Sequence, residues 1–443
     1  MRDIVLTVIF FGMLPYVFSR PYVGIYIWSW LGFMNPHRLC WGFAYDFPFA
    51  QIVAIVTLIS VLKSKDEPKK IPWTRETVLL LIFILWMLFT TFFAFNSDGA
   101  LEQWDKVWKI QLMLFVMLML IYTKQKLDWL IWVIVLSLGF YGVKGGIFTI
   151  SHGGVHSVQG PHGSFIGDNN AIALALVMTI PLMRYLQLQA KSIWIHQGVT
   201  VSMLLTGIAT IGTQSRGALI GMVAMGAFLW LKSRNKMFTL LSILVVIGAL
   251  ATIMPQSWYD RMATIETFEE DTSATDRINA WHMAVNIATT RITGGGFEAF
   301  VPWVSMIYAP DSSRGADAHS IYFEVLGEHG FIGFTMFMLL AWFTWNTGNR
   351  IRRMARRRTE TRWAADLASM TQVSMIGYAA SGAFLGLAYF DLYYTLIAIM
   401  VICNIVCQRE LAVLDDIPGM TGGSVIKAGN RSMHGTGALV KNG

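Results

Sequence analysis

Charge is what this chain has least of. Only 14% of its 443 residues are charged, against about 25% in an average soluble domain. Fully 55% are hydrophobic, and the mean hydropathy is +0.52. That balance excludes an ordinary soluble enzyme. Cysteine is nearly absent as well: Cys40, Cys403 and Cys407 each lie in or beside an apolar stretch. This is neither a disulfide framework nor a thiolate metal cluster, and Cys403 and Cys407, one helical turn apart, read as small core residues. The sequence also has no G-x-x-x-x-G-K-S/T loop, no D-x-D carboxylate pair and no His/Cys ligand cluster. Support for a nucleotide- or metal-dependent mechanism is therefore missing, and neither a cofactor nor a metal site is expected.

What the chain has instead is repeated apolar blocks of about 17–22 residues, the length at which an α-helix crosses a hydrocarbon core. The expected fold is an all-α polytopic membrane protein of about twelve transmembrane helices. Basic residues outnumber acidic ones, 34 to 27. They gather in short loops between apolar blocks, such as Lys63–Lys70, Lys124–Lys126, Lys232–Lys236 and the arginine run 350–362. This is the positive-inside pattern, so nucleic acid is discounted as a partner and these loops are expected in the cytoplasm. Spans are expected at about 77–95, 107–123, 129–149, 171–187, 197–213, 217–232, 238–254, 329–347, 370–388 and 391–408. The loops 96–106, 150–170 and 255–318 then fall on the outer side. Before residue 77 there are three apolar stretches, about 3–19, 22–35 and 48–62. The second is short and bounded by Arg20-Pro21 and Asn35-Pro36, which favours a broken or re-entrant element. The N-terminal run lacks a small-residue cleavage site and reads as a retained span. Four parts follow: N-terminal transmembrane helices 1–254, an outer loop domain of short helices 255–318, C-terminal transmembrane helices 319–408, and a polar, Gly-rich cytoplasmic tail 409–443, expected to be disordered.

Polar groups beside such spans need a reason. Arg216 sits in Thr213-Gln214-Ser215-Arg216-Gly217, a turn between two apolar blocks on the expected outer side, where the positive-inside bias does not ask for an arginine. A guanidinium there either snorkels to headgroups or grips an anion such as phosphate through paired hydrogen bonds. The outer loop has no lysine but holds Arg261, Arg277, Arg291 and Arg314. Arg261 and Arg277 are further anion contacts or plain surface charges paired with Glu266 or Asp276. A helix is expected from about Thr275 or Asp276 as its cap, with Ile278, Trp281 and Val285 on one face. Gly294-Gly295-Gly296 then forces a turn. His319 lies at the mouth of a span, on one face with Tyr322, Phe323 and Leu326. It is suited to general-base work, being poised near neutral pH, or is a hydrogen-bonded structural residue. His329, deeper in the segment, reads as structural. The glycine-rich loop Gly160 to Asn170, ending in Asn169 and Asn170, allows close approach of a ligand or simply caps a hairpin.

Taken in order, Thr213-Gln214-Ser215-Arg216-Gly217-Ala218, Asp276-Arg277-Ile278-Asn279-Ala280-Trp281, Ile292-Thr293-Gly294-Gly295-Gly296-Phe297, Ala318-His319-Ser320-Ile321-Tyr322 and Glu328-His329-Gly330-Phe331-Ile332-Gly333 resemble the bacterial O-antigen ligase/polymerase superfamily. The match runs from about 160 to 335. The N-terminal Trp30-Leu31-Gly32-Phe33-Met34-Asn35-Pro36-His37-Arg38 is similar to the branch found beside exosortase systems, the O-glycosylation ligases. His319 is followed by Ser320 where many members have Asn, and the Gly-Phe element carries three glycines.

The resemblance implies a GT-C-like membrane glycosyltransferase. Such an enzyme moves a glycan from undecaprenyl pyrophosphate to an acceptor hydroxyl at the periplasmic face of the bacterial inner membrane, with neither metal nor nucleotide. In a ligase the acceptor is lipid A–core; the alternatives are a protein or a growing polysaccharide. The carry-over makes His319 the general base, Arg216 the pyrophosphate-binding arginine and Arg277 the loop arginine, with Arg261 a second. Asn169, Asn170 and Tyr322 are expected to contact substrate. A transporter of lipid-linked glycan is the reading from another class. It calls for mid-span charge and repeat symmetry, whereas these arginines cluster at one face.

Overall fold

The computed structural model describes residues 1–65, 67, 69–232, 236–237, 241, 248, 255–256, 258–259, 272–311, 317–356 and 358–416. These form fourteen α-helices and no strand: α1 (Arg2–Ser19), α2 (Pro21–Met34), α3 (Phe49–Lys63), α4 (Arg75–Thr91), α5 (Ser97–Leu120), α6 (Lys124–Ser151), α7 (Asn169–Gln189), α8 (Ile193–Gly212), α9 (Arg216–Lys232), α10 (Thr272–Thr290), α11 (Pro302–Tyr308), α12 (Ile321–Ala355), α13 (Arg362–Gly382) and α14 (Asp391–Asp415). Six of them, α1, α6, α7, α8, α12 and α14, are long and apolar enough to cross a membrane, and α3 and α9 are shorter apolar helices. The chain is an all-α polytopic membrane protein. The expected span at 238–254 and the tail beyond 416 lie almost wholly outside the described residues.

Local chemistry sets the helix starts. Thr74 and Thr77 form a reciprocal capping box for α4, Asn96 accepts from Gly99 N–H at α5, and the Asp168 carboxylate accepts from Asn170 and Ala171 N–H at α7. Two helices are apolar on nearly every side, so they occupy the middle of the bundle. In α7 the buried run is Ala171 to Thr179, and in α14 it is Asp391 to Asn404.

The three N-terminal helices run up, down and up beside one another. Asp3, at the start of α1, accepts from Gly42 and Ala44 N–H before α3, while Ser60 at the end of α3 donates to Val17 O at the end of α1. Helices α1 and α3 are therefore parallel, with α2 returning between them. Fourteen residues of α2 reach about 21 Å, less than the roughly 30 Å of a hydrocarbon core. The turn Pro36–Leu39 follows it, and in the next loop Tyr45 Oη donates to His162 O.

The bundle thus has two distinct ends. At one end lie the loop 40–48, the loop 152–168, the turn 213–215, and the starts of α7, α9 and α12. At the other end the basic loops pair with carboxylates: Lys126 with Glu67 at 2.9 Å, Arg75 with Glu76 at 3.0 Å, and Arg358 with Asp415.

Candidate active site

The turn before α9 is rigidly built. Gln214 takes a left-handed φ of 58° and its amide donates to Gly154 O and Val155 O. Ser157 and Asn169 both donate to Thr213 O, at 2.9 and 3.0 Å. Ser215 Oγ accepts from Ala218 N–H and so caps α9. Arg216 follows directly, half-buried, at the helix N-terminus. There its guanidinium and the positive end of the helix dipole favour the same thing, a bound anion. Asn169 thus braces the turn from the first residue of α7, and Asn170 stands beside it, half-buried, in the same first turn.

Two aromatic rings connect this turn to His319. A Cβ at Gly217 would lie 3.5 Å from Phe384 Cβ, so the start of α9 packs on the end of α13. The Phe384 ring is 6.5 Å from that of Trp281 on α10. Trp281 in turn stacks on Phe323 at 4.8 Å and donates its indole N–H to Ala318 O at 2.8 Å. Ala318 is the residue before His319. Arg216 and His319 are thereby anchored to one aromatic cluster at one end of the bundle.

His319 itself lies outside the helix that was expected to carry it. Ser320 is the N-cap of α12, and His319 precedes it with a left-handed φ of 42°. The side chain is 46% exposed, and its Nδ1 lies 3.8 Å from the Asp317 carboxylate. A non-glycine residue in that conformation is uncommon and is seen often where function holds a side chain in place. Among the described residues only four do so, and three of them, Gln214, Glu298 and His319, lie in this region.

Helix α10 departs from its expected register. It begins at Thr272, so Thr275 and Asp276 are in its first turns and do not cap it. Its inward face is Ala280, Met283, Ala284 and Ile287, while Ile278 and Val285 are each 38% exposed. Small side chains let α10 pack closely against α12, and the bulky stripe is left outside, with Trp281 at its edge. Arg277 is half-buried on this helix, and Arg261 lies outside the described residues. Tyr322 is a strut: its hydroxyl donates to Ala379 O of α13 at 2.9 Å. Arg291 is another, donating to Phe93 O at 2.7 Å and lying over the Phe95 ring.

The glycine turn serves α12. Gly295 and Gly296 donate to Gly327 O and Glu328 O, and Gly294, with a φ of +67°, lies against Gly330. Gly330 breaks the helix at φ 65°, ψ −172°, a conformation that a side chain would strain. His329, fully buried beside the break, bonds Thr90 Oγ1 at 2.7 Å. It is structural.

Sequence reasoning missed a cavity of about 320 Å³ beside His319. Asp317 forms part of its rim, and Glu298, Glu324, Glu328, Phe300, Phe165 and Tyr389 line it. Glu324 accepts from Ala388 N–H, and Glu328 accepts from Glu298 N–H and the Tyr389 hydroxyl. The Asp317 and Glu324 carboxylates converge to within 3.4 and 3.5 Å of the point where a Cβ would stand on Gly386. Glu298 sits at the rim, where partial burial and then the neighbouring Asp317 hold its carboxyl above the usual range. The one sequence signal was the i, i+4 pair Glu324/Glu328 at the start of a span. Its other walls come from distant segments.

The helical bundle thus carries a cationic turn, an accessible imidazole and a polar cavity at one end. Residues 201–338 match the family described as O-antigen ligase. This match supports membership of the O-antigen ligase/polymerase superfamily and indicates a membrane glycosyltransferase-like ligase or polymerase. Residues 1–191 match a family of unknown function, and no curated protein matches the chain. The matched stretch holds Arg216, Arg277, His319, Glu324 and Glu328; the loop 383–390 that closes the cavity lies beyond it.

Proposed function

We propose that this protein transfers a glycan from undecaprenyl pyrophosphate to lipid A–core at the periplasmic face of the inner membrane, in one inverting displacement that needs no metal. The observation that carries the reading is the shared anchoring of Arg216 and His319 on the Phe384–Trp281 aromatic pair. It supports a donor phosphate and an acceptor hydroxyl meeting at one end of the bundle. The arginine side suits the anion. The carboxylate-lined cavity repels an anion and suits the hydroxyl-rich acceptor.

In the reaction the acceptor oxygen attacks the anomeric carbon. The bond from that carbon to the pyrophosphate oxygen breaks, and its electron pair leaves with the phosphate, where Arg216 stabilises the charge, helped by Arg277. The hydroxyl proton passes to His319, and the Asp317 carboxylate stabilises the imidazolium that forms. Asn169 and Asn170 shape the donor side, and Tyr322 holds the start of α12.

The test incubates the purified full chain with undecaprenyl pyrophosphate-linked glycan and lipid A–core, with chelator and without nucleotide. Capped lipid A–core with inverted anomeric configuration is expected. Net retention overturns the single displacement. Donor binding without transfer moves the acceptor to a protein or a growing polysaccharide, the reading that the N-terminal likeness to exosortase-associated ligases favours. Loss of metal independence would show as activity restored only by a divalent cation.

A further inference from the structure

Away from this site, the lipid-facing side of the bundle carries a groove of about 700 Å³ between α6, α7 and α8. Its walls are apolar, and Leu136, Phe140, Ile147 and Ile195 remain 40–63% exposed there. Along α6 the lining runs from Trp132 to Ile147, about 22 Å at 1.5 Å per residue. One charge stands in it. Lys144 is exposed, and among the described residues no carboxylate pairs with it. A lysine inside a span is costly unless its ammonium meets an anion or the headgroup layer. Lys144 lies seven residues before the end of α6, roughly 10 Å below it, so its stem carries the ammonium toward the depth of lipid phosphates.

We propose that this groove holds an anionic phospholipid of the surrounding bilayer, with an acyl chain along α6 and α8 and its phosphodiester on Lys144 Nζ. Charge count selects this occupant. One ammonium neutralises one phosphodiester, whereas a pyrophosphate calls for several guanidinium donors, which this groove does not hold among the described residues. Mass action selects it too, because a single cation gives weak binding that only an abundant bilayer lipid fills.

Two glycines on α8 make the test specific. A Cβ at Gly198, in the groove, meets nothing within 4 Å, and the same is true of Gly207, outside it. A leucine is accommodated at either position, but only Gly198→Leu fills the groove. The full chain in detergent is titrated with phosphatidylglycerol or phosphatidylcholine, and retained lipid is counted by native mass spectrometry. Phosphatidylglycerol is expected to be favoured about fivefold, the worth of one basic side chain near a lipid phosphate. Lys144→Gln removes that preference, Gly198→Leu removes retention of both lipids, and Gly207→Leu changes neither. Equal retention of the two lipids, or a preference that survives Lys144→Gln, overturns the proposal. A polyprenyl phosphate that displaces phosphatidylglycerol at equal concentration overturns the choice of occupant.

Discussion

Buried carboxylates stand at both ends of this bundle, and they are satisfied in opposite ways. At the basic end Glu76 is 1% exposed and closes a network: Arg75 Nε lies 3.0 Å away and the Thr347 hydroxyl donates at 2.5 Å. Arg75 also reaches Phe343 O, so the network ties α4 to α12. At the other end, among the described residues, Glu324 and Glu328 meet only neutral donors, two backbone N–H groups and the Tyr389 hydroxyl, and face an open cavity. An unpaired carboxylate is expensive in low dielectric. The fold tolerates that cost where His319 and Arg216 are assembled and avoids it where helices merely need joining. The same residue type is a structural bolt at one end and lines an open cavity at the other.

The largest effect that separates the two ends is expected from His319→Ala. Losing a positioned base costs about 10²–10⁴-fold in transfer, while a side chain 46% exposed with one distant ion pair contributes little to stability. Turnover and thermal unfolding are measured on the same preparation. Near-normal transfer would remove the base from the mechanism, and a collapsed melting transition would make His319 a structural residue like Glu76.

Glu76→Ala is expected to do the reverse. It leaves Thr347 and Arg75 without their acceptor, at a cost of about 1.5–3 kcal/mol for hydrogen bonds to a charged group. The melting temperature falls, and transfer per folded molecule stays the same. If transfer per folded molecule falls instead, the two ends are coupled through α12 and the contrast between them is too simple.

Part of this contrast was legible in the sequence. The apolar blocks and basic loops specify the spans, and Arg216 is conspicuous because a turn between two apolar helices rarely needs a guanidinium. His319 was legible as a residue but not in its setting, because Ser320 takes the N-cap and leaves the imidazole in a strained loop. The face of α10 misled for a physical reason: periodicity counts bulky residues, and close packing selected Ala280, Ala284 and Met283 instead. The cavity was illegible because five separate segments build it. One of them, the loop 383–390, was expected as the end of a span until 388, yet α13 stops at Gly382.

A smaller effect is expected from filling the cavity without touching its charges. Gly386→Ala adds a methyl group where the Asp317 and Glu324 carboxylates converge, in ordinary contact with both. If the cavity receives the acceptor, KM for the acceptor rises while donor binding and melting temperature hold. One methylene-sized change in a pocket is worth about 1–3 kcal/mol, and the lower end applies here because Asp317 is 57% exposed and can move. A change in kcat alone would instead mean that the methyl group disturbs Asp317 and, through it, His319.

The smallest effect is a matter of pH, and it asks whether the cavity carboxylates are uncompensated at all. The Glu298 carboxyl is held above its ordinary range by partial burial and by Asp317. Its folded pKa therefore exceeds its unfolded one, and the folded state binds this proton more tightly. Stability linked to Glu298 is then fully present below the unfolded pKa and is lost as pH rises through the folded value. Glu298→Gln abolishes that slope, so the difference in melting temperature between variant and wild type is expected to grow in favour of the variant as pH rises across the carboxylate range. At acidic pH the two proteins converge. The position is exposed at the rim, so the shift is modest. Its sign is still decisive: a wild type that gains stability over the variant with rising pH would mean that a cation compensates Glu298, and the cavity would resemble the Glu76 network after all.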